Sequence, residues 1–195
     1  MTHTRALALP EPLHLRADEN MVEGIVVPFG QVADVAEIVN GELRRYKEGF
    51  RAGSCERMVQ GARARGNAGF IKLTLDHDDA LDKRVGSGVL IEERSEGAFM
   101  QFKLHRRAEL DLIKSLIEDS HDGFSIEFSD VADPDEVDGV TWRRQIHMQA
   151  VSLTPVPVYA GAKVLALRDD DELLSLPTPE LDETLAWLEA EKAKV

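Results

Sequence analysis

What this chain can fold into is limited first by a series of short stretches in which apolar and polar side chains alternate, most of them closed by Gly, Pro or Asp. Alternation with a period of two places every second side chain on one face of a strand, so such a stretch persists only when a neighbour buries that face. Met21-Val22-Glu23-Gly24-Ile25-Val26-Val27-Pro28-Phe29 is a β-branched apolar run that ends near Pro28, and Gly41 marks a turn before a second strand-like piece at Arg44-Arg45-Tyr46-Lys47. Gly69-Phe70-Ile71-Lys72-Leu73-Thr74-Leu75 fits a half-buried strand. Segments 85–92 and 98–104, separated by Ser95-Glu96-Gly97, predict a hairpin. A strand is expected over 124–128, another over 140–153 before Pro155 and Pro157, and a closing one over 160–167.

Two segments instead carry a helical period. Over 55–65, Met58, Val59 and Ala62 share a face, with Gly61 and Gly66 weakening or ending the helix. Over 107–119, Leu110, Ile113, Leu116 and Ile117 form an apolar stripe with Asp111, Lys114 and Glu118 elsewhere. Many short strands with one or two helices predict an α+β fold built on a β-barrel or β-rich sheet over residues 21–167. Residues 1–20, with Pro10 and Pro12 and no periodicity, read as a flexible arm. Residues 168–195 read as an acidic linker and C-terminal helix: Asp169, Asp170, Asp171 and Glu172 precede Pro177 and Pro179, and Leu181, Ala186, Trp187, Leu188 and Ala190 give a modest stripe.

The formal charge of −13 argues against a nucleic-acid binder, because affinity for phosphate chains comes from clustered Lys and Arg. No apolar run approaches the ~18 residues needed to span a bilayer, and the N-terminus lacks a basic-then-apolar leader pattern, so a cytoplasmic location without membrane contact is expected. Cys55, the single cysteine, has no disulfide partner in the chain and no metal-ligand spacing. Its setting, Gly53-Ser54-Cys55-Glu56-Arg57, reads as a loop-to-helix junction rather than a nucleophile's site.

The chemistry centres on Gly123-Phe124-Ser125-Ile126-Glu127-Phe128 and Thr74-Leu75-Asp76-His77-Asp78. A serine hydroxyl is a poor nucleophile, so acyl transfer needs an imidazole within hydrogen-bond reach and a third group to orient that imidazole. His77 lies just past a strand end, where rigid scaffolds commonly present catalytic groups. Asp76, Asp78 and Asp79 around it raise a metal site as a rival. The chain lacks a second histidine at helical spacing, however, so the zinc signature is absent and no metal is expected. His105 and His121 are expected on the surface, and Arg143 and Arg144 in salt bridges to the acidic surface.

Five motifs occur in a telling order. They are Gly24-Ile25-Val26-Val27-Pro28-Phe29, Tyr46-Lys47-Glu48-Gly49-Phe50, Leu75-Asp76-His77-Asp78 followed by Val85-Gly86, Gly123-Phe124-Ser125, and Val151-Ser152-Leu153-Thr154-Pro155 followed by 160–164. In these the chain resembles the tailed-phage prohead maturation proteases, serine peptidases distantly related in fold to the herpesvirus assemblins. The resemblance implies a herpesvirus-protease-like β-barrel flanked by a few helices. It also implies a cofactor-free serine endopeptidase that cleaves capsid and scaffolding proteins, and itself, inside the assembling procapsid in the host cytoplasm. Ser125 then matches the nucleophile and His77 the general base. A homodimer is a further expectation, because helices build the assemblin dimer interface and part of the Leu110 stripe is available for one.

The third catalytic member departs from the pattern. The family often has Glu-Val-Ser where this chain has Ala150-Val151-Ser152, and alanine cannot orient an imidazole. Glu127 is the favoured replacement, because the strand period places it on the face of Ser125, about 6.5–7 Å along the backbone. His147 would reproduce a Ser-His-His arrangement, although three positions from Ala150 it would face the other side of a regular strand. Gln149 offers a hydrogen bond without charge. The missing acid keeps a second function open, that of a catalytically inactive capsid-assembly module on the same fold.

Overall fold

The alternating segments find their partners in two sheets. In a computed structural model that describes residues 3–7, 20–39, 42–78, 80–81, 83–105, 109–156, 162 and 164–168, the elements in chain order are β1 (His3–Leu7), β2 (Met21–Pro28), β3 (Val32–Val39), β4 (Glu42–Phe50), α1 (Glu56–Arg65), β5 (Lys72–Leu75), β6 (Arg84–Glu93), β7 (Gly97–Leu104), α2 (Leu110–Asp119), β8 (Gly123–Asp130), β9 (Asp135–Val137), β10 (Val140–Arg143), β11 (Ile146–Thr154) and β12 (Val164–Arg168). The larger sheet has the order β1-β8-β11-β5-β6-β7-β2-β12, and the smaller one β3-β4-β10-β9. The larger sheet curls until β1 and β8, at one end, contact β2 near the other. The result is a half-barrel in a β-rich α+β fold rather than a closed barrel.

The concave face and the two helices make one core. Phe50, Phe102, Phe124, Phe128, Ile126 and Leu73 are fully buried in it, and α1 adds Met58, Val59 and Ala62. From α2 come Ile113 and Ile117, with Leu110 and Leu116 partly buried against them. The rings of Phe50 and Phe128 meet edge to face, centroids 5.3 Å apart, and so bring β4 against β8. Each such ring stabilises the fold by about 1.5–3 kcal/mol relative to exposure. The start of α1 is held from a distance: the Glu93 carboxylate accepts the N–H groups of Gly53 at 3.0 Å and Cys55 at 2.7 Å. Gly66, left-handed at φ 75°, ends the helix.

The stretch 140–153, expected as one strand, is two. β10 runs parallel to β4 in the smaller sheet, and after Arg144-Gln145 the chain crosses to β11 in the larger one. The cause is Arg143, nearly buried, whose guanidinium binds Glu48 of β4 through Nε at 2.9 Å and Asp130 of β8 through Nη1 at 2.5 Å. Burial opposes its charge, but the Glu48 and Asp130 carboxylates outweigh that and raise its pKa further. Arg143 is thus an internal tie between sheets rather than a surface ion pair; Arg144, as expected, pairs with surface Asp135. Trp142 lies opposite Gly49, where a Cβ would come within 2.6 Å of the indole, so only glycine lets β4 and β10 close. Within the segment read as a flexible arm, 1–20, His3–Leu7 is an antiparallel strand on β8. The acidic linker and C-terminal helix fall beyond Arg168, outside the described residues.

Candidate active site

Phe124, Ile126 and Phe128 point from β8 into the core, so Ser125 and Glu127 share its other face. Antiparallel β11 sets Ser152 opposite Ser125 and Ala150 opposite Glu127. Parallel β5 then sets Thr74 opposite Ser152 and Lys72 opposite Ala150. Two rows of side chains therefore cross three strands, the polar Ser125-Ser152-Thr74 and, beside it, Glu127-Ala150-Lys72.

His77 reaches this face through a tight turn after β5. The Asp78 N–H donates to the Leu75 carbonyl at 2.9 Å, and both Asp76 and His77 have left-handed backbone, φ 49° and 60°. Such a conformation costs a non-glycine residue about 1–2 kcal/mol. It doubles the chain back toward β8, where His77 Nδ1 comes 3.5 Å from Glu127 Oε1. Nδ1 is buried and has no closer hydrogen-bonding partner among the described residues. At that separation the contact is electrostatic rather than a formed hydrogen bond, for which about 2.7–2.9 Å is usual in a charged pair. Catalytic hydrogen bonds in unliganded sites are often long and tighten with substrate.

The other expected residues fall as follows. His147 is exposed and opposite Ser129. A bulge between Met148 and Ala150 returns it to the face of Ala150, so the expectation that it faces the other side is corrected. Along the strand, however, it sits four β8 positions from the level of Ser125, about 13 Å, and is not brought to His77. Gln149 is taken up by the bulge itself. Asp78 accepts the Ala80 N–H at 2.9 Å, and Asp76 Oδ2 lies 3.3 Å from His121 Nε2. His121, expected on the surface, is instead largely enclosed between Asp76 and Ser120, whose Oγ lies 2.8 Å from its Nδ1. His105, likewise expected outside, is half-buried against the Ser87 hydroxyl at 2.8 Å.

Cys55 is fully buried, and burial, aided by the Glu93 charge, pushes its thiol up to about 12 despite a hydrogen bond with Ser54. At neutral pH it is therefore no thiolate nucleophile. A cleft of about 220 Å³ between α1 and β6, lined by Ala62, Asn67, Val89 and Leu90 among others, shares none of the site residues.

Sequence reasoning missed Ser152 and Thr74. Their side chains join the His77 turn to β11, a partnership that exists only through the parallel pairing of β5 and β11.

No family model matches the sequence, and no curated protein matches it. Among solved structures the chain is similar to the capsid assembly protease gp21 of bacteriophage T4, with a TM-score of 0.50 at 8% identity, over 79% of this chain and 99% of that one. At that identity the likeness is one of fold, a phage prohead protease-like, β-rich architecture.

Proposed function

We propose that the protein is a serine endopeptidase of phage capsid maturation that cleaves scaffold and capsid proteins, and itself, within the procapsid assembling in the host cell. The observation that carries this reading is the 3.5 Å approach of the His77 ring to Glu127, two residues along the strand from Ser125. The fold likeness to a capsid assembly protease supports the substrate class.

In this mechanism Ser125 Oγ attacks the scissile carbonyl carbon while His77 Nε2 takes its proton. Glu127 holds the opposite nitrogen and stabilises the imidazolium that forms. His77 then protonates the leaving amine, and water, activated by the same ring, hydrolyses the acyl-enzyme. The site is Ser-His-Glu, with the acid carried on the nucleophile's own strand, rather than the Ser-His-His of the assemblins. Glu127 stands directly across from position 150, so it reaches the imidazole from the strand next to the one where the family's acid is expected.

Co-expression with a capsid or scaffold substrate tests this: Ser125→Ala is expected to abolish processing while the folded content stays unchanged. Processing by the variant at the wild-type rate rejects the site. A second reading, an inactive assembly module, is favoured by the 2% exposure of Ser125, which suits a structural hydroxyl. Stable co-assembly of the wild-type protein with uncleaved substrate would select it.

A further inference from the structure

We infer that Ser152 and Thr74 are positioning residues that fix His77 as a base through its backbone, an inference that rests on the peptidase reading above. The Ser152 hydroxyl is fully buried and that of Thr74 nearly so. Ser152 Oγ accepts the His77 backbone N–H at 3.1 Å. The Ser152 and Thr74 hydroxyls are in direct hydrogen-bond contact, and Thr74 Oγ1 lies 3.4 Å from the Val151 carbonyl oxygen.

Each hydroxyl has one proton to give. Both protons find these partners only if Thr74 donates to the Val151 carbonyl and Ser152 donates to Thr74. A one-way chain results: His77 N–H to Ser152, Ser152 to Thr74, Thr74 to the backbone of β11. The preceding amide is held by the same strand, since the Asp76 N–H donates to the Leu153 carbonyl at 3.1 Å. Successive amides of the turn are thus gripped by neighbouring residues of β11, one through the main chain and one through a side chain.

Two consecutive left-handed residues that are not glycine persist only where their surroundings over-determine them. The hydroxyl chain is one such determinant. It acts on the peptide plane between Asp76 and His77, which sets where the imidazole points. Glu127 meets only the Nδ1 edge of the ring. Because Ser152 is also the cross-strand neighbour of Ser125, base and nucleophile are fastened to one two-strand frame. Freeing the His77 N–H lets its φ relax, and a misplacement of about 1 Å in a catalytic group can cost about 10²-fold in rate.

The test needs no knowledge of the natural substrate. Full-length protein is treated with a fluorophosphonate, which phosphonylates an activated serine with loss of fluoride, and intact-mass and peptide mapping follow modification at Ser125. Ser152→Ala and Thr74→Val are expected to lower kinact by about 10- to 100-fold, with KI within about twofold. Thr74→Ser, which keeps the hydroxyl, is expected to label at close to the wild-type rate. Melting temperatures are measured alongside. A purely structural role would lower them in all three variants without separating Thr74→Val from Thr74→Ser in kinact. If Ser152→Ala does not fold, the Thr74 pair alone decides. Wild-type kinact in Thr74→Val overturns the positioning role while leaving the peptidase reading intact. An unmodified Ser125 in the wild-type protein rejects the peptidase reading, and the positioning role with it.

Discussion

Replacing Glu127 by Gln removes one charge and leaves the side chain's shape. With Nδ1 and Oε1 3.5 Å apart, Coulomb's law gives an attraction between imidazolium and carboxylate of about 1 kcal/mol at the dielectric of water and about 5 kcal/mol at an effective value of ~20. Both side chains are partly exposed, so the true figure lies between these limits. Glu127 acts on the imidazolium that forms as His77 takes the Ser125 proton, so the loss falls on kcat. At 1.36 kcal/mol per tenfold, the range corresponds to a fall of roughly 5- to 5,000-fold, within the ~10⁴ known for losing an orienting carboxylate. The assay is the first-order rate of substrate processing, read on gels from co-expressed or mixed components. Adding Ala150→Glu to the Glu127→Gln background is expected to restore part of the rate, because cross-strand partners place their Cβ atoms about 4.5–5.5 Å apart. A neutral Glu127→Gln together with a severe His147→Ala would refute the reasoning and move the third member to His147.

Two buried groups, Arg143 and Cys55, give three further outcomes. Arg143→Ala leaves the Glu48 and Asp130 carboxylates without their central cation and is expected to destabilise the fold by about 3–5 kcal/mol, read as a lower urea midpoint. A midpoint within error of wild type would show that the two sheets are held together by other means. The Cys55 thiol ionises at about 9.0 in its unperturbed state and about 12 when folded. Because the folded value is raised, its contribution to stability is complete below pH 9.0 and is lost as pH climbs toward 12. Thermal melts of wild type and Cys55→Ala should therefore draw together above pH 9.0. The folded protein should also resist iodoacetamide at pH 8, and rapid alkylation there would contradict the burial.

Much of the local structure was legible because local period decides it. Met58, Val59 and Ala62 marked the buried face of α1, and the alternation through Phe124, Ile126 and Phe128 oriented β8 and with it Ser125 and Glu127. What was not legible depends on contacts remote in sequence. The break between β10 and β11 is dictated by Arg143 reaching Glu48 and Asp130, which no pattern within 140–153 reveals. The face of His147 was misjudged because a bulge consumes Gln149 and shifts the parity of the strand. Ser152 and Thr74 looked like ordinary strand hydroxyls. Only the parallel register of β5 on β11 makes them a pair, and only the left-handed turn after Leu75 brings the His77 amide to them.

The strand formed by His3–Leu7 has a consequence for how the protein behaves in concentrated solution. It covers the outer edge of β8, pairing residue by residue from Phe124 to Phe128. That segment, Phe-Ser-Ile-Glu-Phe, is short, aromatic and β-branched, with a single charge, the composition of a self-associating strand. Without β1 its backbone N–H and C=O groups would form an open edge, a template for the same strand of another copy. β1 thus closes that edge and replaces it with its own, His-Thr-Arg-Ala-Leu, as the outermost of the sheet. Shortening the protein past Leu7 would be felt first as a loss of solubility and only afterwards as a loss of fold.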